Sequence, residues 1–283
     1  FREEAPATDT TSIGNLDWRE LFTDPQLQAL IEKGLENNTD FRTAHLRVQE
    51  AEAALMTSRL AYLPALNLTP QGTISSFDGS KAAKSYQLAA SASWEIDIFG
   101  RLTNAKRSAQ AALEQTKSYK QAVRTQLIAT IANSYYTLLL LDKQLVISER
   151  TASLWKENVQ AMQALKKAGL TNEAAVSQSE ANCLSVEASL LTLRQQINEM
   201  ENSLSNLLGE VPQRVERGNL DCQEFPETLS TGVPLALLGN RPDVRQAEYS
   251  LAQAFYTTNG ARSAFYPNIN LSGVAGWTNS GGG

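Results

Sequence analysis

Few residues of this sequence have the types and spacing that catalysis or metal binding requires. The chain has one histidine, His45, and two cysteines, Cys183 and Cys222, with no C-x-x-C spacing, whereas structural zinc sites draw four ligands from such groups. The sequence also lacks a G-x-S-x-G turn, a Walker phosphate loop and an HExxH motif, the signatures of several large enzyme classes. We therefore predict that the protein is not an enzyme and binds no cofactor or metal.

The cysteines and the remaining carboxylates have plainer interpretations. Cys183 falls in a predicted helix and Cys222 in a predicted loop. One disulfide in an oxidising compartment and two unpaired thiols are both compatible with this pattern. Asp40 and Asp243 each stand where a predicted helix begins, and capping that helix explains them.

Composition and charge limit the class of protein. The net charge is −5 and the basic residues are scattered, so we predict no nucleic-acid partner, because such proteins carry a basic patch. The most apolar window, Leu127 to Ile147, is interrupted by Asn133, Asp142 and Lys143. A membrane-spanning helix needs about 20 mostly apolar residues. We therefore expect the leucines and tyrosines of this window to pack against other helices.

The predicted elements are organised around one long helical stretch. From Arg101 to Leu208 there is no proline and one glycine, Gly169, and these two residue types most disfavour a helix interior. Gly169 divides the stretch into two helical arms, Arg101 to Ala168 and Leu170 to Leu208, and marks the reversal between them. Either Thr171 or Asn172 can cap the returning helix. The first helix would be about 100 Å long, with a predicted packing seam that includes Leu127, Thr130, Ser134 and Thr137.

Two segments before this helix alternate apolar and polar side chains with a period of two. The first runs from Leu66 to Ser75 and the second from Tyr86 to Ile98. A soluble, half-buried hairpin shows the same alternation. Segments of about ten residues with aromatic side chains near their ends are typical of transmembrane barrel strands, and we favour that interpretation.

The flanking helices belong to an internal repeat with an offset of 203 residues. Asp24 and Pro25 predict the start of a first helix, and a second helix is predicted to start at Thr39 or Asp40 and to run to about Ala61. The second copy begins at Arg241 to Val244, and ten ungapped identities relate the copies, including Arg42 with Arg245, Arg59 with Arg262 and Pro64 with Pro267. Such self-similarity indicates a duplicated unit. The second copy stops at Gly283, so we expect the chain to be a fragment of a longer protein.

Several short motifs then follow one another in a fixed order. They are Trp94-Glu-Ile-Asp-Ile-Phe-Gly-Arg101, Ala168-Gly-Leu-Thr171 with Gln178-Ser-Glu-Ala181, Leu207-Leu-Gly209 with Pro212, Arg241-Pro-Asp-Val244 with Ala247-Glu248, and Phe265-Tyr266-Pro267. Each motif is weak alone. As a set covering nearly the whole chain, they resemble the TolC-like outer-membrane efflux proteins, in particular the lipoprotein-type branch.

The resemblance implies a mainly α-helical fold with β-strands: a long α-helical hairpin of a periplasmic α-barrel, joined to strands of a transmembrane β-barrel, in a duplicated unit whose second copy is incomplete. Three protomers would share a twelve-stranded barrel, and a lipidated cysteine would precede Phe1. The expected segments are an N-terminal extended segment (1–23), first-repeat helices (24–63), a β-barrel hairpin (64–99), the long helical hairpin (100–208) with its tip at 168–172, an equatorial segment (209–239), a second-repeat helix (240–266) and the start of a second-repeat strand (267–283).

The resemblance also implies a function and partners. Family members are exit ducts of tripartite efflux or export systems, which pass drugs, metals or other small molecules from the periplasm to the exterior without chemistry. The expected location is the bacterial outer membrane, with a periplasmic extension. The expected partners are a periplasmic adaptor (membrane fusion) protein, an inner-membrane pump of the resistance-nodulation-division type, outer-membrane lipid and two further copies in a homotrimer. The alternative is a periplasmic coiled-coil adaptor or scaffold, which also carries a long helical hairpin.

Two candidate sites follow from the resemblance. The tip would contact the adaptor through Ala168, Gly169, Leu170 and Thr171, although an ordinary turn between helices explains the same residues. Near the periplasmic face of the membrane, Glu95 and Asp97 would ring the lumen. Alternatively, they would pair with basic side chains such as Arg101 and organise the strand-to-helix junction.

Overall fold

The structure is a computed structural model that describes residues 17–76, 79, 82–223 and 239–281. The described part of the chain is mainly helical with three strands, as the sequence predicts. In chain order the elements are α1 (Trp18–Leu21), α2 (Pro25–Asn37), α3 (Thr39–Leu60), β1 (Ala65–Ser75), β2 (Ala83–Ile96), α4 (Arg101–Lys167), α5 (Glu173–Leu207), a 3-10 turn (Leu220–Cys222), α6 (Pro242–Ser263) and β3 (Ile269–Gly281).

One compact unit comprises the described parts of Phe1–Thr43 and Gln121–Leu238. As predicted, Pro25 is the first residue of α2 and the Asp24 carboxylate caps the helix, accepting from the Gln26 amide at 2.9 Å. The core of this unit joins α2, the later part of α4 and α5 through buried side chains that include Leu27, Ile31, Ile131, Tyr135, Leu138 and Leu204. The apolar window of the sequence therefore packs against other helices, as expected.

The long helix α4 is continuous over 67 residues, as the absence of proline predicts. The packing seam predicted along it is partly wrong. Leu127 is buried, but Thr130, Ser134 and Thr137 are only partly buried. The fully buried positions are those of the large side chains one residue along, Ile131, Tyr135 and Leu138, because these side chains bury more apolar area than threonine or serine.

The other compact unit comprises Ala44–Lys120 and the described part of Gly239–Gly283. Here α3 packs on the first part of α4 through Val48, Leu55 and Leu113. The three strands form one antiparallel sheet in the order β1-β2-β3. Strand β2 begins at Ala83, three residues before the predicted start, and ends at Ile96. Ile98 lies outside it because the chain leaves the sheet at Asp97, whose side chain binds the start of α4.

The internal repeat is visible in the structure. Adding the sequence offset to the bounds of α3, Thr39–Leu60, gives the bounds of α6, Pro242–Ser263. A strand follows each helix, and β3 pairs with β2 from Ile96 opposite Ile269 onward. The strand of the second copy therefore extends the sheet of the first copy.

Three further predictions can be compared with the structure only in part. No described helix combines the length and the apolar character that crossing a membrane requires. Cys183 is a free, buried thiol. Residues 224–238 of the expected equatorial segment (209–239) lie outside the described residues.

Candidate functional site

The tip of the helical hairpin is a tight reversal with a fixed backbone. Gly169 has a φ of +74°, a left-handed conformation that glycine adopts without a steric penalty. The amide of Gly169 donates to the carbonyl of Lys166 at 3.0 Å, and the amide of Leu170 donates to the carbonyl of Leu165 at 3.0 Å. These two bonds end α4 in a Schellman motif, which satisfies carbonyls that the helix leaves unpaired.

The returning helix is capped by Asn172, one of the two residues proposed from the sequence. Its side-chain oxygen accepts from the amide of Ala175 at 3.0 Å, and an ion pair between Lys166 and Glu173 joins the two helices across the turn. Leu170 is 75% exposed, and no atom lies within 4 Å of the position that a Cβ would take at Gly169. The tip therefore presents an exposed apolar side chain on a rigid turn.

Asp97 caps the beginning of α4. Its carboxylate accepts from the amides of Leu102 (2.9 Å) and Thr103 (2.8 Å) and from the Thr103 hydroxyl (2.6 Å). Partial burial raises the pKa of Asp97, but these hydrogen bonds outweigh it and hold the pKa below its usual value. A negative charge at this position also interacts favourably with the helix dipole.

Glu95 and Arg101 form an ion pair beside this cap, in which the Arg101 Nε donates to the Glu95 Oε1 at 2.7 Å. The Tyr62 hydroxyl donates to the Thr103 hydroxyl at 3.0 Å. The three residues singled out in the sequence, Glu95, Asp97 and Arg101, thus meet at the strand-to-helix junction. This geometry is what we expect if the three residues organise the junction. A role for Glu95 and Asp97 in the lumen stays a prediction.

A third cluster was not anticipated from the sequence: the segment after α5 is held by one arginine. The Arg217 side chain is only 9% exposed and forms ion pairs with Asp142 of α4 and Glu201 of α5. It also donates to the carbonyl of Val215 at 3.1 Å. The hydrogen bond to Asp142, and then that to Glu201, raise the pKa of Arg217 above its ordinary value. One guanidinium thus links α4 and α5 to the segment that follows α5 and precedes the 3-10 turn.

A second anchor of the same segment is the buried hydroxyl of Tyr135. It donates to the Asp24 Oδ2 at 2.6 Å and accepts from the amide of Gly218 at 3.0 Å, while the Gln223 Nε2 donates to the same carboxylate oxygen at 2.8 Å. Burial and the bond to Asp24 raise the pKa of Tyr135. Burial alone would raise the pKa of Asp24, but its hydrogen bonds lower it overall. The sequence signal was a tyrosine inside an apolar run, since a buried hydroxyl needs a partner.

The one histidine, which could act as a base or a metal ligand, has structural partners. The His45 Nδ1 lies 3.0 Å from the Lys120 Nζ, and its Nε2 lies 3.4 Å from the Gln49 Nε2, so this histidine joins α3 to α4. Within the described ranges, no group of three or more His, Cys, Asp or Glu side chains is placed to hold a metal ion. The clusters described above cap helices and link segments, and the tip exposes the side chain of Leu170.

The exposed antiparallel sheet leads directly into the long helix α4, and comparison with known proteins identifies the family to which the chain belongs. Residues 30–210 match the family model described as outer membrane efflux protein. The cation efflux system protein CusC of Escherichia coli O157:H7 is 31% identical over 269 residues, covering 92% of this chain and 58% of that protein. The probable outer membrane lipoprotein SilC of Salmonella typhimurium is 29% identical over 268 residues, covering 92% and 57% respectively.

A solved structure shows the same fold. The open state of the MtrE outer membrane channel of Neisseria gonorrhoeae matches with a TM-score of 0.82 and 26% identity, covering 96% of this chain and 67% of that one. The chain belongs to the outer membrane efflux protein family. The resemblance inferred from the motifs, and the fold class that it implied, are therefore confirmed. The chain spans somewhat more than half the length of the two curated relatives, 58% and 57%.

Proposed function

We propose that this chain is a protomer of an outer-membrane exit channel that serves a bacterial tripartite efflux system. The observation that carries the proposal is that the sheet has one apolar face and that this face is exposed. The strand register pairs Leu68 with Ala90, Ala90 with Ala275, and Leu88 with Trp277. Leu68 is 67% exposed and Trp277 is 66% exposed.

The opposite face of the sheet is mainly polar, although Val274 of β3 lies on it opposite Ser91. There the register pairs Asn67 with Ser91, and Gln71 with Gln87 and through it with Thr278. A half-buried soluble hairpin packs its apolar face on a core, whereas a barrel strand turns that face to lipid and its polar face to a water-filled lumen. The strands contain 11, 14 and 13 residues, and a tilted spanning strand needs about 9–11.

The proposed mechanism is passive conduction through this lumen and the helical hairpin, with no chemistry on the exported molecule. The exported molecules are small, and drugs and metals are the proposed classes. The relative CusC is named for cation efflux. The proposed assembly is a homotrimer that meets a periplasmic adaptor at the tip and draws its energy from an inner-membrane pump of the resistance-nodulation-division type. Family membership favours this function over a periplasmic adaptor or scaffold.

The direct test is to express the full-length protein, with its cognate pump and adaptor, in a strain that lacks its own exit channels. We expect the protein in the outer-membrane fraction and restored resistance to at least one exported compound. Recovery of the folded protein in the soluble periplasmic fraction, with no gain in resistance, would favour a scaffold.

The tip is tested best at Leu170. An arginine at position 169 strains the left-handed backbone, so Gly169→Arg confounds binding with folding. The variant Leu170→Arg places a charge on an exposed side chain without that strain, and Val211→Arg is the control because Val211 is also exposed. We expect Leu170→Arg to abolish cross-linking to the adaptor and export, while Val211→Arg retains both. Normal cross-linking and export in Leu170→Arg would leave the tip as an ordinary turn.

A further inference from the structure

Four basic side chains cluster where the helices meet the sheet, in a chain whose net charge is −5. Arg59 and Arg262 occupy the last turns of α3 and α6, and Lys106 and Arg107 occupy the second turn of α4. None of the four forms an ion pair with a described residue. Their positive charge is therefore uncompensated within the described part of the protein.

Helix stability accounts for only half of this cluster. A cation in the last turn of a helix interacts favourably with the helix dipole, which explains Arg59 and Arg262. The dipole effect fades beyond the first turn of a helix, so it gives no reason for Lys106 and Arg107 to lie in succession in the second turn of α4. A partner outside the described chain that is itself anionic would explain all four.

Aromatic contacts place two of the four cations beside tyrosines of the segments that lead into β1 and β3. The Lys106 Nζ lies 5.7 Å from the centre of the Tyr62 ring, and the Arg107 guanidinium lies 5.9 Å from that of Tyr256. Phe99 stacks on Tyr266 with a separation of 4.8 Å between ring centres. Aromatic rings beside long cationic side chains are the composition of a membrane–water interface, where the chains reach toward headgroups.

One contact relates the cluster to the apolar face of the sheet. Trp94 lies on that face, since the register pairs it with Leu271. Its indole Nε1 donates to the carbonyl of Tyr62 at 2.9 Å, and the ring of Tyr62 is the one that faces the Lys106 ammonium group. The ammonium group of Lys106 is therefore close to the end of the face that lipid would cover.

We propose that Arg59, Lys106, Arg107 and Arg262 form a binding site for the phosphate groups of anionic phospholipids in the periplasmic leaflet. The proposal rests on the exit-channel function, because it needs the apolar face of the sheet to lie in a membrane. The bound lipids fix the depth at which the strands sit, and they compensate the charge that the chain leaves unpaired. A basic side chain near an anionic lipid surface contributes enough to change lipid affinity about fivefold.

The repeat supplies a matched control for the test. Arg42 and Arg245 are also related by the repeat, but they lie seventeen residues earlier in the same two helices, which is about 25 Å back along each helix. The variant Arg59→Gln/Arg262→Gln and the control Arg42→Gln/Arg245→Gln therefore remove equal charge from equivalent helices. The variant Lys106→Gln/Arg107→Gln tests the cations near the beginning of α4.

The measurement is native mass spectrometry of the full-length protein titrated with phosphatidylglycerol and, separately, with phosphatidylcholine. We expect each of the two junction variants, Arg59→Gln/Arg262→Gln and Lys106→Gln/Arg107→Gln, to lower the preference for phosphatidylglycerol by about 25-fold. The control variant should leave this preference unchanged. An equal loss of preference in the junction and control variants, or no loss in any of them, would overturn the proposal. So would an unchanged lipid preference with altered export of anionic compounds, since the cations would then face the lumen.

A measurement on the unsubstituted protein keeps the proposal testable if a junction variant fails to assemble. The preference for phosphatidylglycerol must then weaken as ionic strength rises, because added salt screens exposed charges. A wild-type channel with normal conductance and no preference for anionic lipid would refute the lipid site alone. Absence of membrane insertion would instead refute the proposed channel function.

Discussion

The buried ion pairs of Arg217 give the sharpest quantitative prediction. The variant Arg217→Met keeps most of the side-chain volume but removes the cation shared by Asp142 and Glu201. Breaking a buried pair by removing one partner costs about 3–5 kcal/mol. Asp142 is 37% exposed and stays hydrated, whereas Glu201 is only 10% exposed. The expected loss in the free energy of unfolding is therefore at the low end of that range, about 3 kcal/mol.

The control and the rescue decide between this explanation and a general loss of packing. Arg194 also joins α5 to a carboxylate of α4, Glu149, but that pair is exposed, so Arg194→Met should cost less than about 1 kcal/mol. Adding Glu201→Gln to Arg217→Met removes the stranded charge and should recover about 1–2 kcal/mol.

Urea unfolding of each variant, followed by far-ultraviolet circular dichroism, measures these free energies. Hydrogen exchange of the amides in residues 211–219 adds a local measurement, which should show faster opening in Arg217→Met than in Arg194→Met. The reasoning fails if the two single variants lose equal stability, or if Glu201→Gln deepens the loss in the double variant.

Three further predictions concern the other clusters. Asp97→Ala removes the acceptor of three hydrogen bonds and should cost about 1–2 kcal/mol, seen as a lower yield of assembled oligomer; normal assembly with altered ion selectivity in single-channel recordings would instead assign Asp97 to the lumen. The pKa of Asp24 is lowered from 3.8 in the folded protein, so the ionised carboxylate contributes its full stabilisation above the pKa of the unfolded chain and loses it as the pH falls through the pKa of the folded protein. As the pH falls below about 4, the urea midpoint should therefore fall less steeply in Asp24→Asn than in the unsubstituted protein. Parallel curves of midpoint against pH would contradict this. Gly169→Ala should lose about 1 kcal/mol of stability and Gly169→Asn less, because asparagine tolerates the left-handed conformation; equal thermal midpoints in both would show that the turn relaxes.

The features predicted correctly from the sequence are those that local chemistry determines. Proline and glycine alone predicted the long helix α4, with an end one residue later than the observed Lys167, and the reversal at Gly169, because these residues act on their own backbone. The cap at Asp24 followed from residue type and position. The alternation along β1 and β2 predicted which side chains share a face, because the period of a strand is fixed by its geometry.

The features that were missed depend on partners that are distant in the sequence. Arg217 and Asp142 are 75 residues apart, and nothing in the local sequence of either residue names the other. The buried face of α4 was misplaced by one residue, because small side chains at a helical spacing do not reveal which neighbouring helix covers them. The end of β2 was set by Asp97 acting as a cap, which competes with continuing the strand.

The central claim is that the sheet lines a water-filled channel across a membrane. The most direct measurement is the conductance of the purified full-length protein in a planar lipid bilayer. We expect discrete, stepwise current increments that are carried by small ions and disappear when the protein is heat-denatured before addition. A folded, correctly assembled protein that produces no conductance under any applied voltage, and that stays soluble without detergent, would refute the proposed channel function.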